Sequence, residues 1–266
     1  MKITLFTSNK NRHNYLINLL SEISKELFVI QECNTIFPGV MPGHYQTSSI
    51  MKKYFEKVNE VQTQLFGNSY VNNKKKNIKI LTMLSEDLNQ CSMKLLSDFL
   101  NSDFYVVYGS SYIKGELVDF LVKQKAINIH AGISPYYRGT DCNFWALYDN
   151  NPHLVGATVH LLSKGLDSGP ILYHAMSNLK TNPFEYTMSS IKSTFHSIAE
   201  RIQDESIFKI QPAVQDKSKE IRYSKKNEFN EEVVSEYFEK EINLTKIKFD
   251  NSLLKEPFFL INKFYR

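Results

Sequence analysis

Asn128-Ile-His130 closes a short β-rich run, Ala126 to His130, and carries the residue types best suited to chemistry. Side chains two apart on a strand share a face, so an amide and an imidazole would meet at one reacting centre. That pairing suits acyl transfer. An amide N–H stabilises a developing oxyanion, and an imidazole takes a proton from an attacking amine or steadies the charge that forms. Asp167 lies in Gly165-Leu-Asp-Ser-Gly-Pro, where flanking glycines let the backbone approach a ligand closely. Its carboxylate could orient His130 and raise its basicity. Taken singly, these residues leave plainer readings open: His130 as a satisfied interior histidine, Asp167 as a turn carboxylate capping backbone N–H groups. His160 and His174 admit a His/His/Asp metal site, but no H-x-x-x-H or cysteine pairing supports it, and no metal is expected. Neither G-x-G-x-x-G nor G-x-x-x-x-G-K-S/T occurs, so nucleotide binding of the Rossmann or P-loop kind is not indicated.

The elements that must hold these residues follow an alternating pattern. Strands are expected over Lys2 to Thr7, Ile78 to Leu84, Phe104 to Tyr108 and Ala126 to His130, while Leu27 to Ile30 reads as strand or helix. Helices are expected from about Tyr15, over Ser49 to Phe66 with Gly67 as C-cap, over Ser92 to Leu100, Glu116 to Lys123 and Asp141 to Tyr148. This alternation implies an α/β fold: a Rossmann-like, mainly parallel sheet with helices on both faces. From Leu154 to Met176 two strands flank a polar turn too short for a helical crossover, so they should be antiparallel or irregular, ahead of a long helix from Phe184 to Gln203. After about Ile207 the chain becomes more charged, with an aromatic tail from Glu256, and the reading divides it into a catalytic domain over 1–207 and a small C-terminal subdomain over 208–266. In such sheets ligands sit at the carboxyl ends of strands. Three ends qualify: Ser8 to His13, Gly109 to Ile113, and the segment beginning at Asn128.

Composition narrows the function classes. The 266 residues are 42% hydrophobic, enough to bury a substantial core, and 32 Lys and Arg against 28 Asp and Glu leave a net charge of +4 that demands no nucleic-acid partner. The short apolar N-terminus and the lack of a transmembrane-length stretch predict a cytoplasmic protein without a membrane partner. Cys33, Cys91 and Cys142 are far apart and read as reduced thiols.

In order, Asn128-Ile-His130, Tyr137-Arg-Gly139, Trp145-Ala-Leu, Gly156-Ala-Thr-Val-His160 and Leu166-Asp167-Ser-Gly-Pro170-Ile-Leu closely resemble the folate-dependent formyltransferases. That family includes glycinamide ribonucleotide transformylase, methionyl-tRNA formyltransferase and the N-formyltransferases of nucleotide-linked amino sugars. The resemblance is strong over about Tyr105 to Leu172 and places the family's catalytic residues on Asn128, His130 and Asp167. It implies 10-formyltetrahydrofolate as formyl donor, lying between Ser110, Ser111, Tyr112 and Ile113 on one side and Leu166 on the other. Ala131-Gly132 and Ile133-Ser134-Pro135 depart from the family's usual Pro-Ser and leucine-leucine-proline, which leaves the substrate-side contacts open, and the stretch from Thr35 to Gly67 has no aligned counterpart. Among acceptors, tRNA is disfavoured by a short and weakly basic stretch after Ile207. Glycinamide ribonucleotide is disfavoured by a first loop bearing charged, bulky side chains. An amino sugar linked to a nucleotide fits best, with its diphosphate held by Asn9, Lys10, Asn11 and Arg12 at the start of the first helix. A formyltetrahydrofolate hydrolase is the alternative in which water replaces the amine. A homodimer is compatible with this reading.

Overall fold

Strand residues of opposite parity send their side chains to opposite sides of one sheet. In β4 (Phe104–Tyr108), Phe104, Val106 and Tyr108 join one hydrophobic cluster and Tyr105 and Val107 another. The structure, a computed structural model, describes residues 1–33, 48–68, 70–72, 75–240, 242, 244 and 259–261. The first part of the Thr35 to Gly67 stretch and most of the aromatic tail lie outside them.

Besides β4, the chain forms β1 (Lys2–Ser8), β2 (Glu26–Cys33), β3 (Ile78–Leu84), β5 (Ile127–His130), β6 (Tyr137–Gly139), β7 (Ala157–Leu161), β8 (Ile171–Met176), β9 (Arg222–Ser224) and β10 (Phe259–Ile261). Its helices are α1 (Asn11–Ile23), α2 (Ser49–Phe66), α3 (Met93–Leu96), α4 (Gly115–Lys123), α5 (Cys142–Tyr148), α6 (Pro183–Gln203) and α7 (Glu231–Glu239). The main sheet runs β10-β8-β7-β5-β4-β1-β2-β3, and β6 pairs with β9 in a small second sheet. β1 is parallel to β2 and β4, and β4 is parallel to β5; β7 is antiparallel to β5 and to β8. The α/β reading therefore holds, and so does the antiparallel turn between β7 and β8. Among the described residues no helix is long and apolar enough to cross a membrane.

One face of the sheet is covered by α1 and α6, through residues such as Leu16, Leu20, Phe195 and Ile198; the other is covered by α3 and α4, through Leu96, Leu117 and Leu121. A third cluster joins α2, α5 and α7 with the start of α6. There the Tyr54 ring meets Phe144 at 5.8 Å, Phe184 at 5.2 Å and Tyr237 at 6.0 Å, edge to face. Such pairs each add about 0.5–1.5 kcal/mol beyond the area they bury.

Two elements depart from the sequence reading. α1 begins at Asn11, ahead of Tyr15, because the His13 imidazole accepts the Lys10 backbone N–H at 3.2 Å and closes the first turn. The helix expected over Ser92 to Leu100 is one α-turn followed by a tighter turn through Phe99. Ser97 Oγ bonds the Lys94 carbonyl and Thr4 Oγ1 takes the Phe99 carbonyl, so side chains compete with the helical ladder.

Candidate active site

The sheet order reverses beside β1, between β2 and β4, and the carboxyl ends of β1, β4 and β5 open onto one cavity of about 520 Å³. Asn128 and His130 project into it from the end of β5. The antiparallel register sets His160 of β7 directly opposite Asn128. The loop after β7 then carries Asp167 back over the strand end, in a left-handed conformation with φ of 46°.

These side chains form a closed network. Asp167 Oδ2 lies 3.3 Å from His130 Nδ1, and Asp167 Oδ1 accepts from the Asn128 amide nitrogen at 3.2 Å. The same amide nitrogen reaches His160 Nε2 at 3.0 Å, while His160 Nδ1 lies 2.8 Å from the Leu161 carbonyl. A carbonyl only accepts, so His160 carries its proton on Nδ1 and receives the Asn128 N–H on Nε2. His130 faces acceptors on both sides, with Asp167 at Nδ1 and the Tyr137 carbonyl 3.1 Å from Nε2. That arrangement is satisfied when both ring nitrogens hold protons. His130 is 6% exposed and the Asp167 side chain 9%. Burial pushes the Asp167 carboxyl up, but the facing His130, then His160, and last the Gly139 N–H more than offset it and hold the group below its ordinary value. A carboxylate, an imidazole and an oriented amide thus stand together, a set suited to stabilising charge on a reacting carbonyl group.

Gly132 makes room for the imidazole. A Cβ there would lie 2.4 Å from Cys142 Cβ and 2.7 Å from His130 Nε2. Thr158 Oγ1 donates to the Gly132 carbonyl and accepts the Ser134 N–H, which fixes the turn leaving His130.

On one side of this centre the cavity is bounded by Ser110, Ser111, Tyr112, Ile113 and Leu166. Glu32, buried at the end of β2, accepts from Ser111 N–H at 2.6 Å and Ser111 Oγ at 2.8 Å and so sets the strand-end segment. The Tyr112 hydroxyl donates to the Lys164 carbonyl, joining the two edges. Tyr112 and Leu166 remain 45% and 38% exposed, an apolar mouth suited to a flat ring.

The same cavity is also lined by Arg12 and His13 of α1 and by Tyr54, Phe144, Phe184 and Tyr237 of the aromatic cluster. Of the first-loop residues singled out in the sequence, Arg12 borders the cavity; Asn9, Lys10 and Asn11 are not among its lining. Burial, then repulsion from Arg12, lowers the Lys10 ammonium to about 8, against attraction from Asp141. His13, the last residue of the strand-end segment singled out in the sequence but given no role of its own there, also lines the cavity. Its Nδ1 accepts the Lys10 N–H, so the proton sits on Nε2, and burial followed by the nearby Arg12 and Lys10 charges keeps the ring neutral. Arg12 donates to Tyr108 Oη at 3.2 Å and Gln62 Oε1 at 2.8 Å. The two strand histidines raised as metal ligands have protein partners: both nitrogens of His160 as above, and His174 Nε2 on the Ser134 carbonyl at 2.8 Å.

Residues 68–207 match the formyl transferase family. A methionyl-tRNA formyltransferase from Thermodesulfovibrio yellowstonii is 37% identical over 73 residues, which is 27% of this chain and 23% of that protein. A second, from Finegoldia magna, is 28% identical over 141 residues, covering 48% of this chain and 44% of that protein. The chain thus spans less than half of either relative. Among solved structures, a sugar N-formyltransferase from a Shewanella species superposes with a TM-score of 0.53 at 15% identity, over 86% of this chain and 78% of that one, a likeness of fold.

Proposed function

This chain belongs to the formyl transferase family, and from that premise we propose that it transfers a formyl group from 10-formyltetrahydrofolate to the amine of a nucleotide-linked amino sugar. The observation that carries the reaction type is that Asn128 and His130 both lie within hydrogen-bond reach of Asp167 on the wall of one cavity. The apolar mouth between Tyr112 and Leu166, braced by Glu32 through Ser111, fits the flat ring of a reduced folate. The folate supplies an N-formyl carbon whose oxygen gains negative charge when an amine adds to it.

Asn128 is assigned to that oxygen: its two amide N–H groups are held by His160 Nε2, fixed as an acceptor by the Leu161 carbonyl, and by Asp167 Oδ1, and one of them turns from its protein acceptor to meet the developing charge. His130, with Asp167 held as a carboxylate on its Nδ1 side, steadies the charge that forms; the proton lost by the amine goes to the folate nitrogen, which leaves as tetrahydrofolate. The acceptor is assigned to the part of the cavity lined by α1 and the aromatic cluster. Arg12 offers a guanidinium to a phosphate, His13 offers a neutral N–H, and the rings of Tyr54, Phe144, Phe184 and Tyr237 suit the C–H faces of a hexose. Because Arg12 is the first-loop residue that borders the cavity, the grip on phosphate is assigned to it ahead of Asn9, Lys10 and Asn11.

The test presents purified protein with 10-formyltetrahydrofolate and, in parallel, UDP- and dTDP-linked amino hexoses, methionyl-tRNA and glycinamide ribonucleotide, reading formyl incorporation by mass spectrometry. Formylation of an amino sugar is expected. Preference for methionyl-tRNA, the substrate named for the relatives from T. yellowstonii and F. magna, would replace the acceptor. Release of free formate with no formylated amine would make the chain a hydrolase.

A further inference from the structure

Residues 213–224 follow the family-matched stretch, which ends at 207, yet they touch the network around His130 on both flanks. At the start, Ala213 and Ile171 exchange backbone hydrogen bonds of 2.7 and 2.8 Å, which lays the segment along the end of the loop that carries Asp167. Two residues on, the Gln215 side-chain amide donates to the carbonyls of Asp167 and Gly169, each at 2.8 Å. Glu220 then binds Arg138 at 2.9 Å, and Arg138 donates to the Leu166 carbonyl at 2.8 Å. Finally β9 pairs with β6, the strand whose Tyr137 carbonyl faces His130 Nε2.

The imidazole therefore sits between two acceptors, and both are held by this one segment. We propose that residues 213–224 form a strap that positions the catalytic pair, with Gln215 as the positioning residue for Asp167. The proposal rests on the assignment of Asp167 to catalysis made above.

The chemistry of Gln215 supports the role. A primary amide has two N–H groups, and here they span two carbonyls brought side by side by a turn whose Asp167 has positive φ. At Gly169 a Cβ would fall 1.7 Å from the Leu161 carbonyl oxygen, so no side chain at that position can help to hold the turn. Gln215 Oε1, meanwhile, is buried with no hydrogen-bond partner among the described residues. Burying an unpaired acceptor costs stability. An apolar side chain of the same volume would avoid that cost, so the retained amide is explained by what its N–H groups hold in place.

The test is a double-mutant cycle on the full chain, with kcat, both KM values and the melting temperature measured for Gln215→Met, Gln215→Glu, Asp167→Asn and the doubles. Gln215→Met keeps the volume and removes the donors; Gln215→Glu sets a carboxylate against two carbonyl oxygens. A misplaced catalytic group costs between about tenfold and a hundredfold, and losses of that order in kcat are expected, larger for Glu than for Met, with both KM values within about twofold. In the Asp167→Asn background Gln215→Met should cost nothing further, because the group it positions is already disabled. A kcat within twofold of wild type for Gln215→Met while Asp167→Asn is crippled would overturn the strap, as would a loss that multiplies in full with Asp167→Asn. Near-native turnover of Asp167→Asn alone would instead strike the catalytic reading beneath it. Should Gln215→Met melt early, Glu220→Gln loosens the same strap from its exposed side and is held to the same non-additivity.

Discussion

At the end of β5 the polar groups are bound before any substrate arrives: the Asn128 amide on Asp167 and His160, His160 on the Leu161 carbonyl, and His130 between Asp167 and Tyr137. At the end of β1, along the same cavity, a guanidinium and a neutral imidazole border a wall of aromatic rings. The first region resembles a preset electrostatic frame, in which orientation is fixed by bonds made inside the protein. The second offers shape, the Arg12 guanidinium and few directional contacts. The contrast separates turnover from recognition: damage at β5 should appear in kcat, and damage at β1 in the acceptor's KM.

The sharpest way to break that division is to remove a member of the frame. Asn128→Ala and His130→Ala are each expected to lower kcat by about a hundredfold or more, the scale for losing a donor to a developing oxyanion, with the fold retained by circular dichroism. Asp167→Asn should follow them, since a neutral amide cannot balance an imidazolium. Near-native turnover in any of the three would dissolve the frame.

A smaller effect comes from crowding the frame without removing anything. Gly132→Ala sets a methyl 2.4 Å from Cys142 Cβ and 2.7 Å from His130 Nε2, so the imidazole must shift. A fall in kcat of roughly tenfold or more with both KM values held is expected from that misplacement. An equal rise in KM would mean that the two regions are not independent.

Across the cavity, Arg12→Ala should raise the acceptor's KM by roughly tenfold, the share of one charge-assisted contact, while kcat and the folate KM stay nearly constant. Lys10→Ala should do less, because Lys10 is not among the residues lining the cavity. If Lys10 had the larger effect, the phosphate grip would belong to the loop and not to the cavity wall.

The smallest expected signal is one of stability. Burial lowers the His174 imidazole from its ordinary value to about 4. The unfolded chain therefore binds a proton that the folded one refuses between about pH 6.5 and 4, and stability falls across that window as pH drops. Thermal melts from pH 7 to 4 should show this loss in the wild type and a shallower slope in His174→Gln.

Much of the scaffold was legible in the residues. The spacing of Tyr54, Phe55, Val58, Val61, Leu65 and Phe66, closed by Gly67, marked α2 over the span it occupies, because an amphipathic helix writes its buried face into its period. The runs of β3 and β4 were legible for the same reason. The start of α1 was not, since it depends on a histidine side chain closing the turn, a contact no propensity encodes. Nor was the break after Leu96, where Ser97 and Thr4 compete for carbonyls. In the cavity, Asn128 and His130 could be paired from strand alternation alone. His160 drew notice as a metal candidate and as part of the Gly156 to His160 motif, with no role beside Asn128, and its hold on Asn128 depends on the register of β7 against β5.

What the sequence determined by itself is therefore local: which stretches are strands, which faces are apolar, and that an amide and an imidazole at a strand end must look the same way. Those follow from backbone geometry repeated every two or 3.6 residues. The tertiary structure alone decided which distant groups complete the site. The phase of α1, set by where its first turn closes, accompanies His13 and Arg12 on the cavity wall and Lys10 off it. The antiparallel return of β7 brought His160 and Asp167 to Asn128, and residues 213–224 closed over that loop from outside the family-matched stretch. Each of these depends on how two elements meet, and a contact between residues far apart in the chain leaves no period in either segment.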